Sequence, residues 1–195
     1  MKTRLLVSVA AICVATAATA GTIAPPVSDP VLAPAPVMPG WAGFYAGATL
    51  GWATGQATYP ALPPLAIDSF SYGGFAGYNH ILDNGFMVGG EVAVTILNLN
   101  DRFGGFVNTV FDAKLRAGVV AGRALVYASG GFSMSSDDVG NTGRGWNIGA
   151  GVDYLVTENL FFGAEYVYRD ITDTATPANW RDRFHTVQVR AGIKF

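Results

Sequence analysis

The chain has 195 residues, of which 50% are hydrophobic and only 13% charged, and its formal net charge is −2. Soluble domains average about 25% charged residues, so much of this surface is not expected to face water. The small net charge does not indicate nucleic-acid binding, and after the N-terminus no run of about 20 apolar residues predicts a membrane-spanning helix. Low charge, 25 glycines and 12% aromatic residues are typical of a transmembrane β-barrel.

The N-terminus has the pattern of a secretory signal peptide. A basic start with Lys2 and Arg4 precedes an apolar stretch, and Ala18-Thr19-Ala20 provides small residues for cleavage. We therefore predict a signal peptide over residues 1–20. Its removal takes away Cys13, the only cysteine, so we expect neither disulfides nor thiolate chemistry in the mature chain.

Residues 21–40 contain six of the ten prolines. Proline cannot donate a hydrogen bond to a helix or a strand ladder, so this segment is predicted to be an extended periplasmic linker. Its role, including any contact with peptidoglycan, stays open.

From residue 41 onward the sequence predicts one barrel of eight antiparallel strands, residues 41–195. Each predicted strand is a run in which apolar and polar residues alternate. The runs are 42–52, 70–81, 86–97, 109–121, 124–133, 145–154, 160–169 and 184–195.

The connections between these runs alternate between long and short. The short ones include Asp83-Asn84-Gly85, a tight-turn signal, and the long ones are 53–69, 98–108, 134–144 and 170–183. Outer-membrane barrels have short periplasmic turns and long external loops. The pattern therefore predicts an outer-membrane protein with both termini in the periplasm.

Successive side chains of a strand point to opposite faces, so the odd-numbered and the even-numbered residues of each run form two faces, or parities. In each run one parity carries no charged residue. Phe111, Ala113, Leu115, Ala117 and Val119 form such a face in the fourth run. A soluble lipocalin-like barrel would turn this face inward, whereas a membrane barrel turns it toward lipid. Aromatic residues on the apolar parity cluster near both ends of the runs, as expected at the two membrane interfaces. They are Trp52, Tyr72, Phe111, Phe132, Trp146 and Tyr168 at one end, and Phe44, Tyr78, Phe86, Tyr154, Phe162 and Phe195 at the other.

The opposite parity predicts a charged interior. Buried charges persist only when they are paired, so a side-chain-filled plug is the favoured interpretation. A narrow pore, or a port for small apolar ligands, is the alternative. The predicted network consists of Glu91, Asp112, Lys114, Arg116, Asp153, Glu165, Arg169, Arg190 and Lys194.

Catalytic, cofactor and metal sites are not indicated. The chain has two histidines, His80 and His185, and both are interpreted as interface residues. The predicted lipid-facing place of His185 would suit an enzyme that acts on lipid A. Lipid A deacylases of the outer membrane carry a His-x-Ser pair on such a strand, but here the residue two positions after His185 is Val187. In the outer loops, Asp137 and Asp138 are expected to be solvated acidic residues. Weak contact with divalent ions or with lipopolysaccharide is a further hypothesis, with Arg144, Arg181 and Arg183 as candidate phosphate partners.

Five segments resemble the opacity-protein-like surface antigens of alphaproteobacteria, which are small eight-stranded outer-membrane barrels. They are WAGFYAGATLGWATG (41–55), MVGGEVAV (87–94), VVAGRALVYASGGFS (119–133), GAGVDYLVTENLFFGAEYVYRD (149–170) and HTVQVRAGIKF (185–195). The resemblance implies a structural or surface-antigen role in the outer membrane, with lipid and lipopolysaccharide around the barrel. It also implies insertion by the barrel-assembly machinery, which would read the C-terminal residues Val189, Ala191, Ile193 and Phe195. A host partner and the oligomeric state stay open.

Overall fold

The computed structural model describes residues 40–58, 63–99, 106–137, 142–172 and 180–195. The described residues form eight β-strands. They are β1 (Gly43–Thr58), β2 (Leu65–Ile81), β3 (Phe86–Leu99), β4 (Phe106–Ala121), β5 (Ala124–Asp137), β6 (Thr142–Leu155), β7 (Leu160–Thr172) and β8 (Arg181–Lys194). The predicted signal peptide and nearly all of the predicted linker lie outside the described residues, as does Asp138.

The strands pair antiparallel in chain order, and β8 returns to pair with β1, which closes the barrel. At the seam Leu50 lies opposite Val189 and Ala48 opposite Ala191. Closure pairs the backbone groups that an open sheet edge would expose to lipid. The prediction of an eight-stranded antiparallel barrel is confirmed.

Glycine makes two of the tight turns possible. Gly85, in the predicted Asp-Asn-Gly turn, has a φ of 81°, and its N–H donates to the carbonyl of Leu82 at 2.9 Å. Gly122, between β4 and β5, has a φ of 62°. Both angles lie in the left-handed region that side-chain-bearing residues rarely adopt. These turns, with residues 156–159, define the turn end of the barrel, and the other four connections define its loop end.

The predicted strand bounds were accurate at the turn end and wrong at the loop end. There every strand is longer than predicted, by two to six residues. The predicted long connections shrink to 59–64, 100–105, 138–141 and 173–180. The outward residues of the extra segment in β1 are Thr54, Gln56 and Thr58, so backbone pairing continues where the apolar alternation stops.

The outer wall carries the apolar parity, as predicted. Phe44, Leu115 and Phe195 are 66%, 76% and 78% exposed, while Glu91 and Arg190 inside the barrel are 3% and 1% exposed. The aromatic residues predicted for the two interfaces lie on this wall near its two ends, and we call those at the loop end the outer girdle. They bound a lipid-facing belt, which needs only about 9–11 residues of a tilted strand. The ends of the strands at the loop end therefore extend past it.

No helix in the described parts of the chain is long and apolar enough to span a membrane.

The interior contains two separate apolar clusters. The turn-end cluster consists of Trp41, Tyr45, Phe75, Met87, Leu125, Tyr127, Leu155 and Phe161. The loop-end cluster consists of Ala53, Ala57, Ile67, Leu97, Val110, Ile171 and Phe184. Eight of the nine predicted interior charges lie between these two clusters.

Candidate functional site

One strand shows how the interior is layered. Between Val120 near the turn end and Val110 near the loop end, the inward residues of β4 are Gly118, Arg116, Lys114 and Asp112. Val120 packs against the turn-end cluster and Val110 belongs to the loop-end cluster. The strand therefore passes from an apolar layer through three charged positions to a second apolar layer.

Six charged side chains form a central network, which we define as Glu91, Lys114, Arg116, Asp153, Glu165 and Arg190. Lys114 Nζ lies 2.7 Å from Glu91 Oε1 and 3.0 Å from Glu165 Oε1. Arg116 contacts Glu91 at 3.2 Å and Asp153 at 2.9 Å. Three anions thus meet three cations, and all six side chains are at most 1% exposed. This balance is what buried charges require.

Arg190 joins all three carboxylates of the central network. Its guanidinium lies 2.6 Å from Glu91, 3.2 Å from Asp153 and 3.2 Å from Glu165. It also donates to the hydroxyl of Tyr127 at 2.9 Å. A guanidinium has five N–H donors in a fixed plane, which lets one side chain from β8 join three carboxylates from β3, β6 and β7.

Aromatic rings separate the central network from the turn end. The Arg116 guanidinium lies 3.7 Å from the centre of the Tyr127 ring, and that of Arg190 lies 4.0 Å from the centre of the Phe75 ring. The hydroxyl of Tyr45 donates to Glu91 at 3.0 Å. Tyr45 and Tyr127 were not singled out from the sequence, although they share the inward parity with the charges.

Inward glycines make room for these rings. A methyl group at Gly77 would overlap the Tyr45 hydroxyl, and one at Gly151 would overlap that of Tyr127. At Gly163 a methyl group would overlap the carboxylate of Asp153. A glycine on one strand therefore leaves the space that a large side chain from another strand fills.

Asp112 and Arg169 form a second ion pair on the loop-end side of the central network. The two Asp112 oxygens accept from Arg169 Nε at 3.2 and 3.1 Å, and Oδ2 also accepts from an Nη at 2.6 Å. Ser133 donates to the same carboxylate at 2.6 Å, and Arg169 donates to Thr186 at 2.8 Å. Eight of the nine predicted interior charges thus fall into two neutral groups.

Lys194 is the exception, and its place in the predicted network was wrong. It lies at the turn end, where Nζ donates to the backbone carbonyl of Gly40. The alternation of β8 correctly predicted that Lys194 faces inward. However, Lys194 is the last inward residue of the strand and lies on the turn-end side of the central network.

Asp182 is buried above the central network, beyond the outer girdle. It lies opposite Ala57 and Ile171 of the loop-end cluster, and its Oδ1 has no hydrogen-bond partner among the described residues. Burial raises the pKa of Asp182 to about 7, because an apolar environment disfavours the charged form. The sequence prediction did not include this carboxylate, since the eighth run was predicted to begin at residue 184.

His185 lies on the outer wall, as predicted. Its Nδ1 is 2.5 Å from the hydroxyl of Tyr166, and its ring centre is 5.0 Å from that of Tyr168. Val187, two residues on, faces outward on the same strand. The described residues around His185 therefore provide an aromatic contact surface with no serine or threonine hydroxyl hydrogen-bonded to the ring.

Residues 6–195 match the protein family described as the outer membrane protein beta-barrel domain. The chain belongs to this family. Among curated relatives, it is 27% identical to the 31 kDa outer-membrane immunogenic protein of Brucella melitensis over 242 aligned residues, covering 100% of both chains. It is 28% identical to the 25 kDa outer-membrane immunogenic protein of Brucella abortus, covering 85% of this chain and 84% of the relative.

Among solved structures, the barrel is similar to Neisserial surface protein A, with a TM-score of 0.59 and 22% identity, over 78% of this chain and 97% of the other. That similarity concerns the fold. The family and the relatives confirm the outer membrane as the location, and they confirm the predicted role of an integral structural or surface-antigen barrel. In this outer-membrane barrel the turn end faces the periplasm and the loop end faces the outside.

Proposed function

We propose that this outer-membrane barrel acts as a sealed, non-catalytic wall element that carries surface loops. Its interior would serve stability, and contact with the surroundings would fall to the outer wall and the loops. The narrow pore and the apolar-ligand port are the competing functions.

The observation that supports a sealed barrel is the layering of its interior. Eight paired charges lie between two apolar clusters, and Arg190 alone joins three carboxylates across the bore. A conducting bore would need a continuous path of water, and eight-stranded barrels are narrow enough for their own side chains to fill. Ions would have to cross both the turn-end cluster and the loop-end cluster.

Planar-bilayer conductance tests the sealed barrel. The wild-type protein should give a silent trace. A variant with Phe161, Glu91, Arg190 and Phe184 all replaced by alanine should conduct, because it removes large side chains from both apolar clusters and from the network between them. Phe132→Ala, on the lipid-facing wall, is the matched control and should stay silent. Reproducible channels in the wild-type protein would favour the pore and overturn the proposal.

The absence of catalysis is a separate part of the proposal. It is supported by the surroundings of His185, where aromatic rings rather than a serine or threonine hydroxyl contact the imidazole. Cells carrying His185→Ala should show the same lipid A profile by mass spectrometry as cells carrying the wild-type protein. A shift in acyl-chain number that depends on His185 would make the protein an enzyme.

Insertion by the barrel-assembly machinery stays a prediction. Phe195 is 78% exposed beside Phe44, to whose carbonyl its N–H donates at 2.9 Å. The four residues assigned to the insertion signal lie on the outer wall of β8 or just after it, a position compatible with recognition of that strand.

A further inference from the structure

Three arginines stand together on the outer wall of β6 to β8, just beyond the outer girdle. Arg181 binds Asp170 through two hydrogen bonds of 2.7 and 2.5 Å, and Arg183 lies 3.9 Å from the same carboxylate. The side chains of Arg181 and Arg183 are 47% and 54% exposed, whereas that of Asp170 is 7% exposed. Arg144 on the neighbouring strand is also exposed, so this part of the wall carries three cations and one anion. We call these four residues the arginine patch.

Strand register fixes the spacing of the patch. Arg144 lies opposite Thr172, which lies opposite Arg181, so the two arginines are separated by one strand. Their backbones are therefore about 10 Å apart, twice the spacing of neighbouring strands. Arg183 lies opposite Asp170, which lies opposite Trp146. Asp170 orients Arg181 but neutralises only one of the three arginine charges, so the patch keeps a net positive charge.

An aromatic shelf lies directly below the arginine patch. It consists of Trp146, Tyr168, His185 and Tyr166. The ring centres of Trp146 and Tyr168 are 5.4 Å apart, and those of Tyr168 and His185 are 5.0 Å apart. The shelf continues the outer girdle, so the arginines stand at the height of lipid headgroups, with apolar wall beneath them.

Cations are placed unevenly on the outer wall. At the loop end of β1 to β5, the outward described residues include no cation. They are Thr54, Gln56, Thr58, Ala66, Asp68, Asn98, Thr109 and Ser136. At the turn end, Arg123 donates to the backbone carbonyls of Leu155 and Val156 at 2.6 and 2.5 Å. Within the described residues, the exposed guanidinium charge of the loop end is confined to the arginine patch.

We propose that the arginine patch and the aromatic shelf bind the phosphorylated headgroup of an outer-leaflet glycolipid. Such a headgroup carries phosphates at the membrane surface, with its acyl chains directly below them. Arginine forks match phosphate oxygens with two hydrogen bonds at once. The phosphates contact Arg144, Arg181 and Arg183, and the acyl chains lie against the apolar wall below the shelf. The proposal is independent of whether the bore conducts.

Native mass spectrometry of the detergent-solubilised barrel with bis-phosphorylated lipid A tests this site. An Arg144→Ala/Arg181→Ala/Arg183→Ala variant should bind roughly tenfold more weakly or worse, because charge-assisted hydrogen bonds are lost. Arg123→Ala is the matched control: it removes an arginine from the other end of the barrel and should bind like the wild-type protein. The heat-dependent shift in gel mobility reports that each variant is folded.

Two further probes identify the source of the phosphate. Lipid A stripped of both phosphates should bind the wild-type barrel as weakly as intact lipid A binds the triple variant, and phosphatidylglycerol should bind more weakly than intact lipid A. Equal binding of intact lipid A by wild-type and triple variant would overturn the proposal. Equal, arginine-dependent binding of phosphatidylglycerol would replace it with a general site for anionic lipid.

Discussion

At the scale of single residues, Arg190 has the largest expected effect on stability. It contacts three carboxylates within 3.2 Å and is 1% exposed. Replacing it with methionine would keep much of the side-chain volume but leave three buried carboxylates with two cations. Breaking a buried pair from one side costs about 3–5 kcal/mol, so the free energy of unfolding of Arg190→Met should fall by that order.

Urea unfolding in lipid vesicles, followed by tryptophan fluorescence, measures this effect. Arg181→Met is the matched control, because the Arg181 guanidinium is half-exposed, which limits what its ion pair contributes, and Arg183 remains 3.9 Å from Asp170 after the change. Its unfolding curve should overlay that of the wild-type protein. Equal curves for Arg190→Met and Arg181→Met would mean that the central network does not stabilise the barrel.

Asp182 predicts a pH dependence of stability. Its pKa in the folded protein is raised to about 7, whereas an unfolded aspartate titrates near 4. The folded state therefore binds this proton more tightly, and its contribution to the free energy of unfolding falls as pH rises from about 4 to about 7. Asp182→Asn does not titrate, so the variant should become more stable than the wild-type protein across this window, by as much as about 4 kcal/mol above pH 7.

Urea midpoints at pH 4 and pH 8 provide the comparison. The difference between Asp182→Asn and the wild-type protein should be small at pH 4 and large at pH 8. A difference that is the same at both pH values would show that Asp182 is paired in the folded protein rather than isolated in the loop-end cluster.

At the scale of strands, the glycine pattern predicts which backbone positions tolerate a side chain. Gly151 faces the interior under Tyr127, whereas Gly130 faces outward and its nearest neighbour, the carbonyl of Asn147, would lie 3.7 Å from an added methyl group. Gly151→Ala should therefore destabilise the barrel by about 1–3 kcal/mol through overpacking. Gly130→Ala should be neutral or slightly stabilising, since alanine loses less backbone entropy than glycine.

The urea midpoints of the two glycine variants can be compared directly. Because the substitution is the same and the two sites lie on neighbouring strands, the contrast isolates the interior contact. If Gly130→Ala proved as harmful as Gly151→Ala, strand flexibility rather than room for Tyr127 would explain the glycines.

Strand positions also show what alternation alone can predict. The ends of strands near Gly85 and Gly122 were predicted within one residue, because turn chemistry marks them. The strand ends at the loop end were not predicted, because outward residues such as Gln56 and Arg183 are polar there. The hydrogen-bonded pairing of the strands continues at these positions although the apolar alternation has stopped. Asp182 and the strand position of Arg181 were missed for the same reason.

At the scale of the whole molecule, the pairing of the interior charges was predictable and its layering was not. Parity placed Glu91, Lys114 and Arg116 inside, and the need to pair buried charges predicted a plug. Phe75, Met87 and Phe161 also face inward, but the sequence shows them only as apolar residues on the same side of their strands as the charges. Which of them gather into the turn-end cluster depends on the register between strands, which alternation does not contain.

The sealed interior is the central claim, and thiol labelling across the bore tests it most directly. In a Cys13→Ser background the chain has no other cysteine, so Ser129→Cys, which is 5% exposed inside the barrel, reports access to the middle of the bore. Asn84→Cys, in an exposed turn, is the accessible reference. We expect a small charged methanethiosulfonate reagent to modify Asn84→Cys rapidly. Ser129→Cys should react only in the variant in which Phe161, Glu91, Arg190 and Phe184 are all replaced by alanine, which opens both apolar clusters and the network between them. Modification of Ser129→Cys at the rate of Asn84→Cys in the otherwise intact barrel would contradict the claim.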